Sequence, residues 1–177
     1  DSAWFDGFTL TGATQSAITN LLAGPTYRNL IIENNGNTTT GEGAGMSNSV
    51  SSPRIEKCIF RNNKANIGGA MNNSASNVSL VECQFIGNTN DVDFDPPGPS
   101  GEGGAIRQVA ASILTLEHCV FRSNLAGQSG GAIESLDSSL RIFNCEFLNN
   151  QVFKHGCGGA IHPGPCHTRA ACESMSH

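Results

Sequence analysis

The stretch LTLEHCVFRSNLAGQSGGAI, residues 114–133, contains the two phrases that decide the fold. One is Cys-x-Phe-x-x-Asn, spelled by Cys119, Phe121 and Asn124; the other is Gly-Gly-Ala plus an apolar residue, Gly130 to Ile133. Apolar and polar residues alternate through LTLE, the period-two pattern of a strand. Both phrases recur as CIFRNN…GGAM (Cys58 to Met71), CQFIGN…GGAI (Cys83 to Ile106) and CEFLNN…GGAI (Cys145 to Ile161). The four cysteines stand 25, 36 and 26 residues apart. A repeat of this kind marks units that cannot bury an apolar face alone and must stack on copies of themselves. No segment carries a long stripe of period 3.6, and the Leu-x-x-Leu-x-Leu phrase of leucine-rich repeats is absent. Short strands joined by Asn-rich and Gly-rich turns make one coil of a solenoid. The expected fold is all-β, a right-handed parallel β-helix.

Sliding the motif upstream extends it. Leu30, Ile32 and Asn35 fall under Cys, Phe and Asn, with Gly43 to Met46 under GGAM. One unit earlier Phe8, Leu10 and Ala13 take those places, and Ala17-Ile18 lies under Ala-Ile. Three residues before the Cys column stand Phe5, Tyr27, Ile55, Leu80, Leu116 and Ile142. The register predicts about six coils over residues 1–161, followed by an irregular Cys/His-rich tail or cap over 162–177. Coils spaced about 4.8 Å apart set each residue on its equivalent in the next. Phe60, Phe85, Phe121 and Phe147 then form an apolar ladder, and Cys58, Cys83, Cys119 and Cys145 an inward column. Asn35, Asn63, Asn88, Asn124 and Asn150 form an amide ladder at a tight bend, where Asn tolerates left-handed backbone. Gly-Gly marks a second corner, where no side chain fits or φ is positive.

The 177 residues suffice for one domain with a substantial core. Only 14% are charged, the net charge is −5 and there is no basic cluster, which argues against a nucleic-acid partner. No apolar run reaches the length of a membrane span. The chain opens in mid-phrase without Met, as a mature fragment or a piece of a longer chain would. Stacked cysteines have near-parallel side-chain vectors, wider apart than a disulfide prefers, so the four column cysteines read as buried free thiols. Cys157, Cys166 and Cys172, in the tail, are disulfide candidates, with Cys166–Cys172 and Cys157–Cys166 as the pairings.

The paired phrases F-x-x-N and GGA[ILM] resemble the repeat of the chlamydial polymorphic outer membrane proteins and related bacterial β-helix surface proteins. Phe60/Asn63, Phe85/Asn88, Phe121/Asn124 and Phe147/Asn150 carry one half. Gly68-Gly69-Ala70, Gly103-Gly104-Ala105, Gly130-Gly131-Ala132 and Gly158-Gly159-Ala160 carry the other. The opening FDGFTLTG (Phe5 to Gly12) also resembles phrases of secreted pectate-lyase-like β-helix proteins. The resemblance implies a secreted or surface-displayed, often adhesive, passenger region.

The phrase builds a scaffold, so candidate sites lie where it is interrupted. The longest unit carries an insertion, NTNDVDFDPPGPSGE, between Cys83 and Cys119. Asp91, Asp93, Asp95 and Glu102 are candidate Ca²⁺ ligands there, in the carboxylate spacing of an EF-hand loop, although Pro96 stands where that loop needs Gly. No other cofactor is expected. Asn37, Asn72 and Asn77 head N-x-S/T sequons and are glycosylation candidates. Lys57, Glu82, His118 and Asn144 share an outward column with Glu82 beside His118, read as a solvated strand face and as no catalytic set. The expected function is a non-enzymatic structural or adhesive module, extracellular or at the cell surface. It would be part of a longer surface or filament-forming protein. Its partners would be neighbouring subunits, or a host or cell-surface protein or glycan. A carbohydrate-active β-helix enzyme or carbohydrate-binding module is the alternative, because solenoids of this kind also host polysaccharide lyases and hydrolases.

Overall fold

The computed structural model describes residues 3–36, 41–90, 101–153 and 156–164. Among them the strands form three parallel sheets of six strands and one of four. The first sheet stacks Trp4–Asp6, Thr26–Arg28, Arg54–Glu56, Asn77–Val81, Ile113–Glu117 and Ser139–Phe143. The second stacks Thr9–Thr11, Ile31–Glu33, Ile59–Arg61, Gln84–Ile86, Val120–Arg122 and Glu146–Leu148. The third stacks Ile18–Leu21, Met46–Ser49, Met71–Ser74, Ile106–Val109, Ile133–Ser135 and Ile161–His162. The fourth is made of two-residue strands, from Lys64–Ala65 to Gln151–Val152. Each turn of the chain contributes one strand to each of the large sheets. The result is the expected parallel β-helix of six coils, whose last described strand includes His162.

The pairing register matches the alignment of the repeats. Leu10 pairs with Ile32, Ile32 with Phe60, Phe60 with Phe85, Phe85 with Phe121 and Phe121 with Phe147. The four phenyl rings stack with centroids 4.7, 4.8 and 4.9 Å apart, tilted by no more than 4°. Tyr27, Ile55, Leu80 and Leu116 of the first sheet and Met46, Met71, Ile106 and Ile133 of the third close the core around them. At about 25 cal/mol per Å² of apolar area removed from water, such columns are the main stabilising term of the fold.

The corners refine the expected roles of Asn and Gly. In the amide ladder, Asn63 Nδ2 donates to Asn88 Oδ1 at 3.1 Å and to the Ile32 carbonyl at 2.8 Å, and Asn63 N donates to the same Asn88 Oδ1. Asn88 repeats this on Asn124, and Asn124 on Asn150. The ladder residues are not the left-handed ones. Positive φ falls one residue earlier, at Gly12, Asn34, Asn62, Gly87, Ser123 and Asn149. That residue makes the bend, which frees the next Asn to turn its amide inward. The Gly pair divides its work similarly. Gly68 has φ 57°, whereas a Cβ on Gly69 would lie 2.3 Å from the Gly104 carbonyl oxygen.

A further correction concerns Lys57, Glu82, His118 and Asn144. They do not lie on a strand face. All four have φ of 50–53° and form the bend between the first and second sheets, together with Gly7 and Asn29. Lys57 Nζ stands 3.9 Å from Glu82 Oε2, while His118 Nε2 lies 3.4 Å from Asn144 Nδ2.

Two interior polar ladders have no counterpart in the repeat motif. Asn20 donates to Asn48 and Asn48 to Asn73, each at 2.8 Å, and the Tyr27 hydroxyl donates to Asn20 Oδ1. At the bend after the third sheet, the hydroxyls of Ser51, Ser76, Ser112 and Ser138 accept the backbone N–H of Ala23, Ser51, Ser76 and Ser112.

Candidate functional site

The Gly-Gly-Ala corner turns the chain sharply into the third sheet, and the outer side of that turn is a groove along the axis. One wall carries Ser16, Glu42, Ile67, Glu102, Ser129 and Cys157, of which Glu42–Ile67, Glu102–Ser129 and Ser129–Cys157 are bridged in register. The other is the outward column of the third sheet, Thr19, Ser47, Asn72, Arg107, Glu134 and His162.

Side chains cross this groove in pairs. Asn72 Nδ2 donates to Glu42 Oε2 at 2.9 Å, and Arg107 Nε to Glu102 Oε2 at 2.8 Å. Glu134 takes a hydrogen bond from Ser129, and its two oxygens lie 3.0 and 3.1 Å from His162 Nδ1. Burial pushes the Glu134 carboxyl above the usual carboxylate range, opposed by the hydrogen bond and charge of His162 and by the Ser129 bond. Glu134 and His162 are about 1–2% exposed. His162 Nε2 and Asn72 Oδ1 are buried and accept or donate nothing. The far stretch of the groove is open. There a cavity of about 230 Å³ is lined by Gln15, Ser16, Thr19, Gly41, Glu42 and Ser47.

Of these groove residues the sequence singled out Glu102 as a Ca²⁺ ligand, Asn72 as a glycan acceptor and Cys157 as a disulfide candidate, and none of the others. Glu102 is ion-paired to Arg107; Asp91, Asp93 and Asp95 lie outside the described residues. Among the described residues no cluster of three His, Cys, Asp or Glu side chains is arranged to hold a metal ion. Cys58, Cys83 and Cys119 are buried free thiols, and Cys145 is a half-buried one. Burial holds the Cys83 thiol well above the ordinary thiol range. Cys157 is disulfide-bonded; Cys166 and Cys172 lie outside the described residues. Asn72 is not a glycan acceptor in this fold, because it is 3% exposed and its Nδ2 is bonded to Glu42. Asn77 opens a first-sheet strand with its side chain exposed, and Asn37 lies outside the described residues. Elsewhere Glu56 pairs with Arg28 of the preceding coil and with Arg54 of its own strand, and Glu33 pairs with Arg61 of the next coil at 2.5 Å.

A family model described as "right handed beta helix region" matches residues 6–168. The chain belongs to the right-handed β-helix family. That sets the hand of the six-coil stack in line with the expected one. The chain is also 33% identical over 106 residues to the probable autotransporter YfaL of Escherichia coli strain K12. The aligned segment covers 56% of this chain but only 8% of that protein. No solved structure matches.

Proposed function

We propose that this β-helix is a non-enzymatic structural or adhesive module displayed outside the cell or at its surface, within a longer protein. The observation that carries the reading is the unbroken register of six coils, tied further by ion pairs between successive coils such as Arg28–Glu56 and Arg61–Glu33. Such a stack is a rigid rod that presents corners and loops to a partner. The similarity to a probable autotransporter supports the location, as does the resemblance of the F-x-x-N and GGA[ILM] phrases to chlamydial surface proteins. The partner is a neighbouring subunit, or a protein or glycan of a cell surface.

The carboxylates of the groove favour this reading over a polysaccharide lyase or hydrolase. Glu102 is engaged by Arg107, and Glu134 by Ser129 and His162. A glycosidase needs two carboxyl groups free to act on substrate and water. Asp91, Asp93 and Asp95 of the insertion are proposed as Ca²⁺ ligands, not as part of a catalytic centre. The test is direct. Cells displaying the module should adhere to a host-cell or glycan-coated surface more than cells displaying a scrambled β-helix do. Purified protein should leave pectin, alginate and neutral polysaccharides uncleaved with and without Ca²⁺. Measurable turnover would replace the adhesive reading with the enzymatic one.

A further inference from the structure

The groove at the Gly-Gly-Ala corner is closed by side-chain pairs over most of its length and open at one stretch. Asn72–Glu42, Arg107–Glu102 and Ser129–Glu134 span it. At the first two coils the third-sheet column shortens to the hydroxyls of Thr19 and Ser47. Among the described residues no side chain–side chain bond crosses there. Instead Gln15, Ser16, Thr19, Gly41, Glu42 and Ser47 line the cavity of about 230 Å³. We propose that this open stretch binds one neutral sugar ring. The proposal rests on the adhesive reading and names a ligand class for it.

The lining selects the ligand by elimination. Among the described residues it holds one carboxylate and no cationic side chain, so phosphates, sulfates and acidic sugars find no counter-charge and are repelled by Glu42. A hard divalent cation wants six to eight oxygens with several carboxylates, and one carboxylate falls short. Hydroxyls and an amide give an apolar ligand no surface to bury. What the walls match is a ring carrying several hydroxyls. The hydroxyls of Thr19 and Ser47 and the amide of Gln15 each donate and accept, the Ser16 hydroxyl, whose proton goes to the Glu42 carbonyl, accepts, and so does Glu42. The volume lies below the 300–1,000 Å³ usual for drug-sized ligands, which suits a single ring.

A second, independent feature concerns Glu42. Asn72 is 3% exposed and points its Nδ2 at Glu42 Oε2, although this leaves its own Oδ1 buried without a partner. The Ser16 hydroxyl donates to the Glu42 backbone carbonyl at 2.9 Å, tying the same residue from the other side. Glu42 is therefore held in place from two directions while its carboxylate still lines the cavity. Fixing a carboxylate that lines the cavity, with one oxygen bonded to Asn72, prepares it for a donor from outside.

Calorimetry or saturation-transfer NMR with methyl glucoside, galactoside and mannoside, N-acetylglucosamine and their short oligomers tests the site. At least one should bind at millimolar concentration. Glu42→Gln, Thr19→Val and Ser47→Val should each weaken it by about tenfold or more, with unchanged melting curves. Thr115→Val on the first sheet should leave binding intact. Absence of binding across the panel, or binding that survives all three groove substitutions, overturns the proposal. So does capture of a lysine-rich peptide, abolished by Glu42→Gln, in place of any sugar. Cells displaying Glu42→Gln that still adhere, in a protein that binds no sugar, would sink the sugar site and leave the adhesive function standing.

Discussion

Val50 is a β-branched residue at φ 49° with half of its surface in water. The left-handed region costs an L-residue roughly 1–2 kcal/mol, and a branched side chain is least suited to it. The bends on either side of the second sheet place Gly, Asn and other polar residues in that conformation, whereas this one uses Leu22, Val50, Ala75, Ala110 and Ala111, with Asp137 as its polar member. Val50→Asn should therefore raise stability by about 1 kcal/mol, read as a higher denaturation midpoint. An unchanged or lower midpoint would mean that the branched side chain is held by contacts that outweigh the strain. The same physics explains a misassigned residue. In Asn34-Asn35 and Asn62-Asn63 both positions can adopt left-handed backbone, so the motif alone points at the more regular Asn. The column before it mixes Gly12, Asn34, Asn62, Gly87, Ser123 and Asn149, and an exchange of Gly with Asn is the signature of positive φ.

The amide ladder holds coils together through shared acceptors. Asn88 Oδ1 accepts from both the backbone and the amide of Asn63, while its own Nδ2 donates to the Phe60 carbonyl and to Asn124. Asn88→Ala leaves several buried groups unsatisfied and should cost on the order of 3 kcal/mol in chemical denaturation. A loss near zero would show that the ladder contributes little beyond filling space. The groove has a pH dependence of its own. Glu134, facing His162, Ser129 and nearby Glu102, binds its proton more tightly in the folded state than in the unfolded chain. Its contribution is fully present below the unfolded value of about 4.3 and is lost as pH rises through the raised folded value. Melting curves from pH 4 upward should fall more steeply for the wild type than for Glu134→Gln. Parallel curves would remove Glu134 as the source. The column alignment made the Phe and Asn ladders legible before any coordinates. The interior Asn20–Asn48–Asn73 ladder was readable in principle, since alternation sets Asn48 and Asn73 on the side of Met46 and Met71. Polar residues there do not resemble a core until their partners one coil away are counted.

Across the whole stack, burial depends on having a coil on each side. Cys58, Cys83 and Cys119 are fully buried, whereas Cys145 in the last coil is half-buried. A thiol reagent should leave Cys58, Cys83 and Cys119 unmodified in the native protein and label them on unfolding, as mass-mapped peptides would show. Rapid native labelling of Cys83 would contradict the closed core. Phe5 and Phe8 in the first described coil and Ile142 in the last are exposed for the same one-sided reason, whereas Trp4 and Leu148 stand in outward columns. The repeated phrase was sufficient for fold class, coil number and register. Stacking maps sequence period directly onto space, so equal positions in successive units become neighbours. It could not reveal the groove, because the pairs that span it join different columns: Glu42 with Asn72, Glu102 with Arg107, and Ser129 with Glu134. Those meetings depend on how sharply the Gly-Gly corner folds one wall against the other and on which side chains are long enough to cross. That geometry exists only once the coils are assembled.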